Sequence, residues 1–391
     1  DGLKTSQRKI LFTCLERRLT NEIKVAQLGG SVSEKSRYHH GEQSLQGTII
    51  GLAQNFTGSN NLNLLEPSGQ FGTRLMGGKD AASPRYIFTR LNSQTRAIFD
   101  SRDDPILEYE IEDGDKVEPK FYVPVLPMVL VNGAEGIGTG FSCNIPPYNP
   151  VDIKENLMRM MRGEAPVSMK PYWRGFTGEV ERLTQTTWVA KAVYTKTGDV
   201  LHVKELPPGV WTQDLKEKLD KLDLRYENQS SENKVDFKIW GAKESQLPLS
   251  KTFHTSNMYL IYNGTPKRYG CVTDILMDYF TVRYSYLKKR KAHIIQVLTQ
   301  KLAVLDERKR FVQLVVSSQL VVFKKPKAVL ENELKTLGFT QIDLLLNTKT
   351  YEYTQEYIEK LVSEAQKTRT ELAVTTTKPV SEMWKENLAV F

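Results

Sequence analysis

Cysteine is scarce in this sequence: Cys14, Cys143 and Cys271 are the only three among 391 residues. They are far apart and odd in number, so they fit neither a disulfide framework nor a metal-ligand pattern. A reducing compartment is the simple expectation. Long apolar runs are lacking too. None approaches the roughly 20 residues that cross a bilayer, so no membrane partner is expected. The opening residues DGLKTSQRKI do not have the form of a signal peptide. No internal repeat and no low-complexity segment stands out. Histidine is rare as well, at five residues, which makes two adjacent histidines worth following.

Cations, by contrast, are in excess. The formal net charge is +8 and the pI is near 9.1. That favours a polyanionic partner, with a solvated basic surface as the plain alternative. The length suffices for two or three domains with a sizeable core. The abrupt start, DGLKTSQRK, suggests a piece of a longer polypeptide.

Residues 1–120 read as mixed helix and short strand. RKILFTCLERRL places Ile10, Leu11, Cys14, Leu15 and Leu19 on one helical face, with Lys9, Glu16 and Arg17 outside. GEQSLQGTIIGLAQNF does the same with Leu45, Ile49, Leu52, Ala53 and Phe56. The polar link SEKSRYHHG between them suggests a helix-turn-helix. The turn-rich stretch GSNNLNLLEPSGQFGTRLMGGKD reads as a β-hairpin wing. Residues 121–272 read as an α+β region. FTGEVERL, TWVAKAVYT, DVLHVKEL and KVDFKIW are strand-like, TQDLKEKLDKL is helical, and ENQSSEN is a loop. Residues 273–391 read as helix. From about Thr273 to Ser318 no proline or glycine interrupts a seam of Leu287, Ile294, Leu298, Leu305 and Val312. Ile358, Leu361, Ala365, Thr368 and Leu372 repeat the spacing. The economical picture is an antiparallel coiled coil with a small helical head at about 319–350. The fold class is thus α+β and multidomain.

The stretch GGKDAASPRYIFTR sets Tyr86 after Arg85. A tyrosine in a strand is most often packing. Its surroundings point elsewhere. A free phenol has a pKa near ~10 and is a weak nucleophile at neutral pH. Attack on a phosphodiester needs a proton acceptor and a cation for the growing charge. Arg85, Arg74 and Lys79 supply cations, and His39 and His40 in YHHGE supply acceptors. Adjacent strand residues point to opposite faces, so Arg85 reaches the same phosphate only if the backbone bends at Pro84. A zinc site is excluded at the histidines, because no cysteine is near and adjacent histidines are not a usual ligand spacing. VNGAEGIGTGF lacks G-x-G-x-x-G and a Walker lysine. Its isolated Ile137 between glycines suits a wedge better than a phosphate cradle. RDDP and EDGD read as solvated loop charge rather than metal ligands. Trp211 reads as packing, with a nucleic-acid contact as the alternative.

Taken together, YHHGEQSL, IIGLAQNFTGSNNLNLLEPSGQFGTR, GGKDAASPRYIFT and LVNGAEGIGTGFS resemble the breakage-reunion region of eukaryotic-type (type IIA) DNA topoisomerase II. The resemblance is highly specific over residues 1–150. It continues collinearly through ELPPGVWTQ to SEMWKENLAVF, covering the chain but only part of such an enzyme. It implies roles for individual residues. Tyr86 matches the nucleophile that joins a DNA 5′ phosphate, Arg85 the arginine that stabilises the transition state, and His40 the histidine of proton transfer. Lys4 and Arg8 match basic residues near the scissile strand. Tyr38, Ser44 and Trp211 match DNA-contacting positions, and Lys79 is grouped with them. Ile137 matches the isoleucine that intercalates and bends the duplex. The three regions become a winged-helix domain, a tower, and a coiled coil with an exit-gate head.

The resemblance also implies double-stranded DNA and a second copy of the chain as partners. It implies Mg²⁺ and ATP as cofactors, each bound by a domain that this sequence lacks. A nuclear location follows for a cellular enzyme, a viral or host-cell compartment for a viral one. Two departures stand out. Thr5 and Ser6 replace the family's Pro-Gly, and the head is shorter than in many cellular enzymes, which points to a compact member. The rival reading is a non-catalytic winged-helix DNA-binding or architectural protein whose Tyr86 merely packs. A recombination nuclease with a similar tyrosine would be expected to lack the tower and the coiled coil.

Overall fold

The computed structural model describes residues 1–391. They divide into two compact units, Asp1–Tyr284 with Trp384–Phe391, and Ser285–Met383. Residues 1–120 and 121–272 both fall inside the first.

Three helices open the first unit: α1 (Thr5–Glu16), α2 (Val25–Ser36) and α3 (Glu42–Ala53). In α1, Ile10, Leu11, Cys14 and Leu15 are buried, as their spacing predicts, and Leu19 is buried just past its end. Burial pushes the Cys14 thiol up to about 12. Lys9 departs from its expected place outside. It is buried, and its Nζ donates to the Ser36 carbonyl at 2.5 Å and to Glu118 at 2.7 Å. A lysine enters a core when a carboxylate and a carbonyl replace its water. Helix α2 was not legible in the sequence, because Gly29 and Gly30 each cost about 1 kcal/mol in helix propensity. Packing overrides that cost: Val25, Leu28, Gly29, Val32 and Ser36 form one buried stripe. At Gly29 a Cβ would lie 3.4 Å from Gln46 Cγ, so α3 approaches closely there. The polar link therefore starts at Arg37 rather than Ser33.

β1 (Ile23–Lys24), β2 (Leu65–Ser68) and β3 (Phe88–Leu91) form an antiparallel sheet in the order β1-β3-β2. Leu65 faces Leu91 and Ser68 faces Phe88. Only β2 lies inside 58–80, the stretch read as a wing hairpin; its partner β3 lies beyond that stretch, across a long loop over 69–87. α4 (Thr95–Ile98) and a 3-10 turn (Ser101–Ile106) lead to the hairpin of β4 (Tyr109–Glu112) and β5 (Asp115–Pro119). RDDP is not the solvated loop expected of it. Asp103 is buried and pairs with buried Arg283 at 2.6 Å, and Asp104 pairs with Arg96 at 3.0 Å.

α5 (Met128–Val131) carries the apolar run into a second hairpin, β6 (Ala134–Gly138) and β7 (Phe141–Ile145), followed by α6 (Pro150–Met161). VNGAEGIGTGF thus forms most of a hairpin. β8 (Glu179–Arg182), β9 (Thr187–Lys191), β10 (Val193–Thr197) and β11 (Val200–Glu205) come next, then α7 (Thr212–Lys221). β12 (Tyr226–Asn228), β13 (Phe237–Trp240), β14 (Ser250–His254), β15 (Met258–Tyr262) and β16 (Thr265–Tyr269) complete the strands. One sheet has the order β10-β11-β13-β12 and another β14-β9-β8. TWVAKAVYT therefore serves two sheets. The break falls at Ala192, whose N–H donates to the Leu249 carbonyl at 2.8 Å. Val203, Leu215, Leu219, Phe237 and Ile239 form the core there.

α8 (Val272–Val316) is 45 residues long, close to the span expected. α9 (Lys327–Thr336), α10 (Ile342–Leu346), α11 (Gln355–Thr377) and α12 (Val380–Leu388) follow. Leu287, Leu298, Leu305 and Val312 are buried along α8, and Ile358, Leu361, Ala365 and Thr368 along α11. Lys291 donates to the Lys378 carbonyl, Arg369 pairs with Asp306, and Arg308 with Glu352, so the two helices run antiparallel. At the far end Leu320, Leu330, Leu334, Phe339 and Leu345 pack on Phe311 and Val312. In the first unit, Trp384 of α12 is buried and donates through Nε1 to the Val125 carbonyl at 3.1 Å.

Candidate active site

Tyr86 lies in a turn just before β3, not in the strand. Its N–H donates to the Ser83 carbonyl at 2.9 Å. The N–H groups of Val25 and Ala26 donate to the Ile87 and Pro84 carbonyls at 3.0 and 3.1 Å. Those donors open α2 and have no partner within the helix. The turn thus caps the helix, and the helix fixes the turn on both sides of Tyr86. The tyrosine side chain is 70% exposed. The Arg85 guanidinium lies 5.6 Å from the ring centre. The bend puts both side chains on one side, which an extended strand forbids.

The rest of the loop is cross-braced. The Thr73 N–H donates to Asp80 at 2.8 Å and its hydroxyl at 2.5 Å, and Gln54 Nε2 donates to the Phe71 carbonyl at 2.9 Å. Lys79 is exposed. Arg74 is not available as a cation for the site: it is buried and paired with Glu205 at the end of β11. Trp211 is half-buried and packs edge-on against Phe56, with ring centres 5.7 Å apart. A Cβ at Gly77 would sit 2.2 Å from the indole nitrogen, so the loop passes directly over the tryptophan.

The second group is the turn between α2 and α3. Arg37 caps α2 in the left-handed region at φ 51°. Tyr38 and His40 pack edge to face, with ring centres 5.5 Å apart. His39 instead meets Glu112 at 2.7 Å. Gly41 caps α3, and its carbonyl accepts from the N–H of exposed Ser44 at 3.1 Å. EDGD is the tip of the β4–β5 hairpin, largely solvated as expected, and it pairs with this turn.

The third group centres on β6–β7. Ile137 is 95% exposed, opposite Ser142 in the ladder, so it packs in no core. Exposed Lys4 lies beside the same strand: a Cβ on Gly136 would be 3.6 Å from Lys4 Cε. Arg8 is only partly exposed, with Nε on Asp1 at 3.1 Å and a second nitrogen on the Leu3 carbonyl at 3.1 Å. Burial lowers its pKa from the usual arginine value. No group of three or more His, Cys, Asp or Glu side chains is arranged to hold a metal ion. These residues therefore do not fit Mg²⁺ by themselves. Sequence reasoning missed Arg37, Glu112 and Asp115, because their pairing joins segments more than seventy residues apart.

Three helices, a three-stranded antiparallel sheet and a long wing loop define a winged-helix protein of the α+β class. The family model for the DNA gyrase/topoisomerase IV A-subunit matches residues 1–389. DNA topoisomerase 2 of Penicillium chrysogenum is 44% identical over 360 residues, covering 87% of this chain and 23% of that protein. DNA topoisomerase 2-alpha of Cricetulus griseus is 38% identical, covering all of this chain and 30% of that protein. The DNA-binding, cleavage and re-ligation domain of Plasmodium falciparum topoisomerase II superposes with a TM-score of 0.92 at 38% identity, covering all of this chain and 60% of that one. The chain belongs to the DNA gyrase/topoisomerase IV family, as a eukaryotic-type (type IIA) breakage-reunion region. It spans less than a third of the length of these curated relatives.

Proposed function

We propose that this chain cuts and reseals duplex DNA through Tyr86, as the tyrosine-bearing part of a type IIA topoisomerase. The observation that carries the reading is the exposed phenol of Tyr86, held on a capped turn beside Arg85. In the forward step the Tyr86 oxygen forms a bond to phosphorus and the bond to the 3′ oxygen breaks. The phenolic proton leaves and the departing 3′ oxygen gains one. His40 is the proton carrier in this scheme, and Arg85 offsets the charge that builds on the phosphate. The reverse step reseals the strand with no net loss of a phosphodiester. Mg²⁺ and ATP are the cofactors that membership of this family implies.

Lys4, Arg8, Tyr38, Ser44, Lys79 and Trp211 are assigned to binding the duplex, and Ile137 to bending it. A second copy of the chain is the expected partner of the head. Val321, Phe323, Val329, Leu337 and Leu344 are all exposed there, more apolar surface than a solvent-facing tip keeps. The domain scheme proposed is a winged-helix region at 1–120, a tower at 121–272 and a coiled coil at 273–391. The eukaryotic relatives favour the nucleus. The test is Tyr86→Phe in the full-length protein, with DNA trapped by detergent. Loss of protein-linked DNA with retained binding supports the reading, and undiminished linkage overturns it.

A further inference from the structure

The turn that carries Tyr38 and His40 is held by the β4–β5 hairpin. Its residues alternate. Arg37 lies 3.1 Å from Asp115 and 3.6 Å from Asp113, and His39 lies 2.7 Å from Glu112. Tyr38 and His40, between and after them, pack on each other instead. The base of the same β4–β5 hairpin is fixed independently. Buried Lys9 joins Glu118 of β5 to the carbonyl of Ser36, the last residue of α2. One hairpin therefore holds the end of α2 at its base and the first and third residues beyond it, Arg37 and His39, at its tip. Arg37 needs such support, since a non-glycine residue at φ 51° is a costly conformation.

We infer that the tip of β4–β5, through Glu112 and Asp115, is a positioning clamp that turns His40 toward the DNA by holding Arg37 and His39 away from it. The inference rests on the cleavage reading for His40. Glu112 and Asp115 act through other residues. Their charge repels a duplex, so they do not themselves favour binding. That gives the clamp a signature a purely structural role lacks: removing it slows cleavage without weakening DNA binding. The charged groups facing the clamp are Arg37 and His39 from the turn, Lys9 from α1, and Asp113 on the hairpin itself.

The experiment uses Glu112→Ala with Asp115→Ala in the full-length protein. Covalent-complex formation is measured at saturating DNA, alongside affinity for the same duplex and melting temperature. The clamp predicts roughly tenfold slower cleavage with affinity equal or a few-fold tighter. A rate equal to wild type overturns it, as does a parallel fall of rate, affinity and melting temperature. A charge exchange supplies the second arm. Asp115→Arg alone should slow cleavage, and adding Arg37→Glu should restore most of the rate. No recovery in the exchanged pair also overturns the clamp. Should wild type itself form no covalent complex, the cleavage reading fails instead, and the two failures are distinguishable.

Discussion

Two exposed side chains are presented in opposite ways. Tyr86 sits on a turn held by two helix-capping bonds and by a loop braced through Asp80, Gln54 and Trp211. Ile137 sits on a two-stranded hairpin with open glycines at its tip. That hairpin is tied to its neighbour where Asn144 donates to the Asn257 carbonyl at 2.8 Å and Phe141 meets Tyr259 at 5.3 Å. The difference matches the two tasks proposed. In-line attack on phosphorus tolerates little misplacement, so its nucleophile needs rigid backbone on both sides. A wedge between base steps has only to be apolar, protruding and unobstructed.

Substitutions can break this contrast, beginning with the largest effect. Tyr86→Phe should lower covalent complex by about a thousandfold or more, because only the nucleophilic oxygen is lost. Filter binding should show DNA affinity unchanged. Arg85→Ala should slow cleavage by about 10²–10³-fold, the usual loss on removing one stabiliser of developing charge. Quench-flow at saturating DNA would read it. Glycine replacement sharpens the comparison further. Gly77→Ala forces a methyl group into Trp211 at φ +61°, whereas Gly140→Ala at φ +76° meets open space. Both carry backbone strain of about 1 kcal/mol, but only Gly77→Ala should also slow cleavage and expose the Trp211 ring to a fluorescence quencher. The smallest change in stability belongs to Ile137→Ala. At 95% exposure, its removal should shift stability by no more than about 0.5 kcal/mol while reducing DNA bending measured by energy transfer. An unchanged bend angle would end the wedge assignment.

Much of the architecture was legible in the sequence. The long interruption-free seam marked α8, and turn-rich composition marked the first strand and loop of the wing but not its partner strand at 88–91. What stayed hidden depended on contacts distant in sequence. The helix over 25–36 carries two glycines that argue against it locally, and only packing against α1 and α3 makes it form. TWVAKAVYT reads as one strand because alternation cannot reveal a change of sheet at Ala192. Lys9, Asp103 and Arg74 read as surface charges, yet each is buried with a partner of opposite sign on a remote segment. At the candidate site, Tyr86, Arg85 and His40 were singled out from local chemistry and resemblance. The bend beside Pro84 was anticipated, but the capping by α2 that holds it was not.

The central claim is that Tyr86 is the residue joined to DNA. Its most direct test is to trap the full-length protein on duplex DNA, digest the protein and the DNA, and map the modified peptide by mass spectrometry. The account predicts a nucleotide linked through its 5′ phosphate to the peptide containing Tyr86. A link to another tyrosine, a 3′ linkage, or trapped DNA with an unmodified Tyr86 peptide would contradict it.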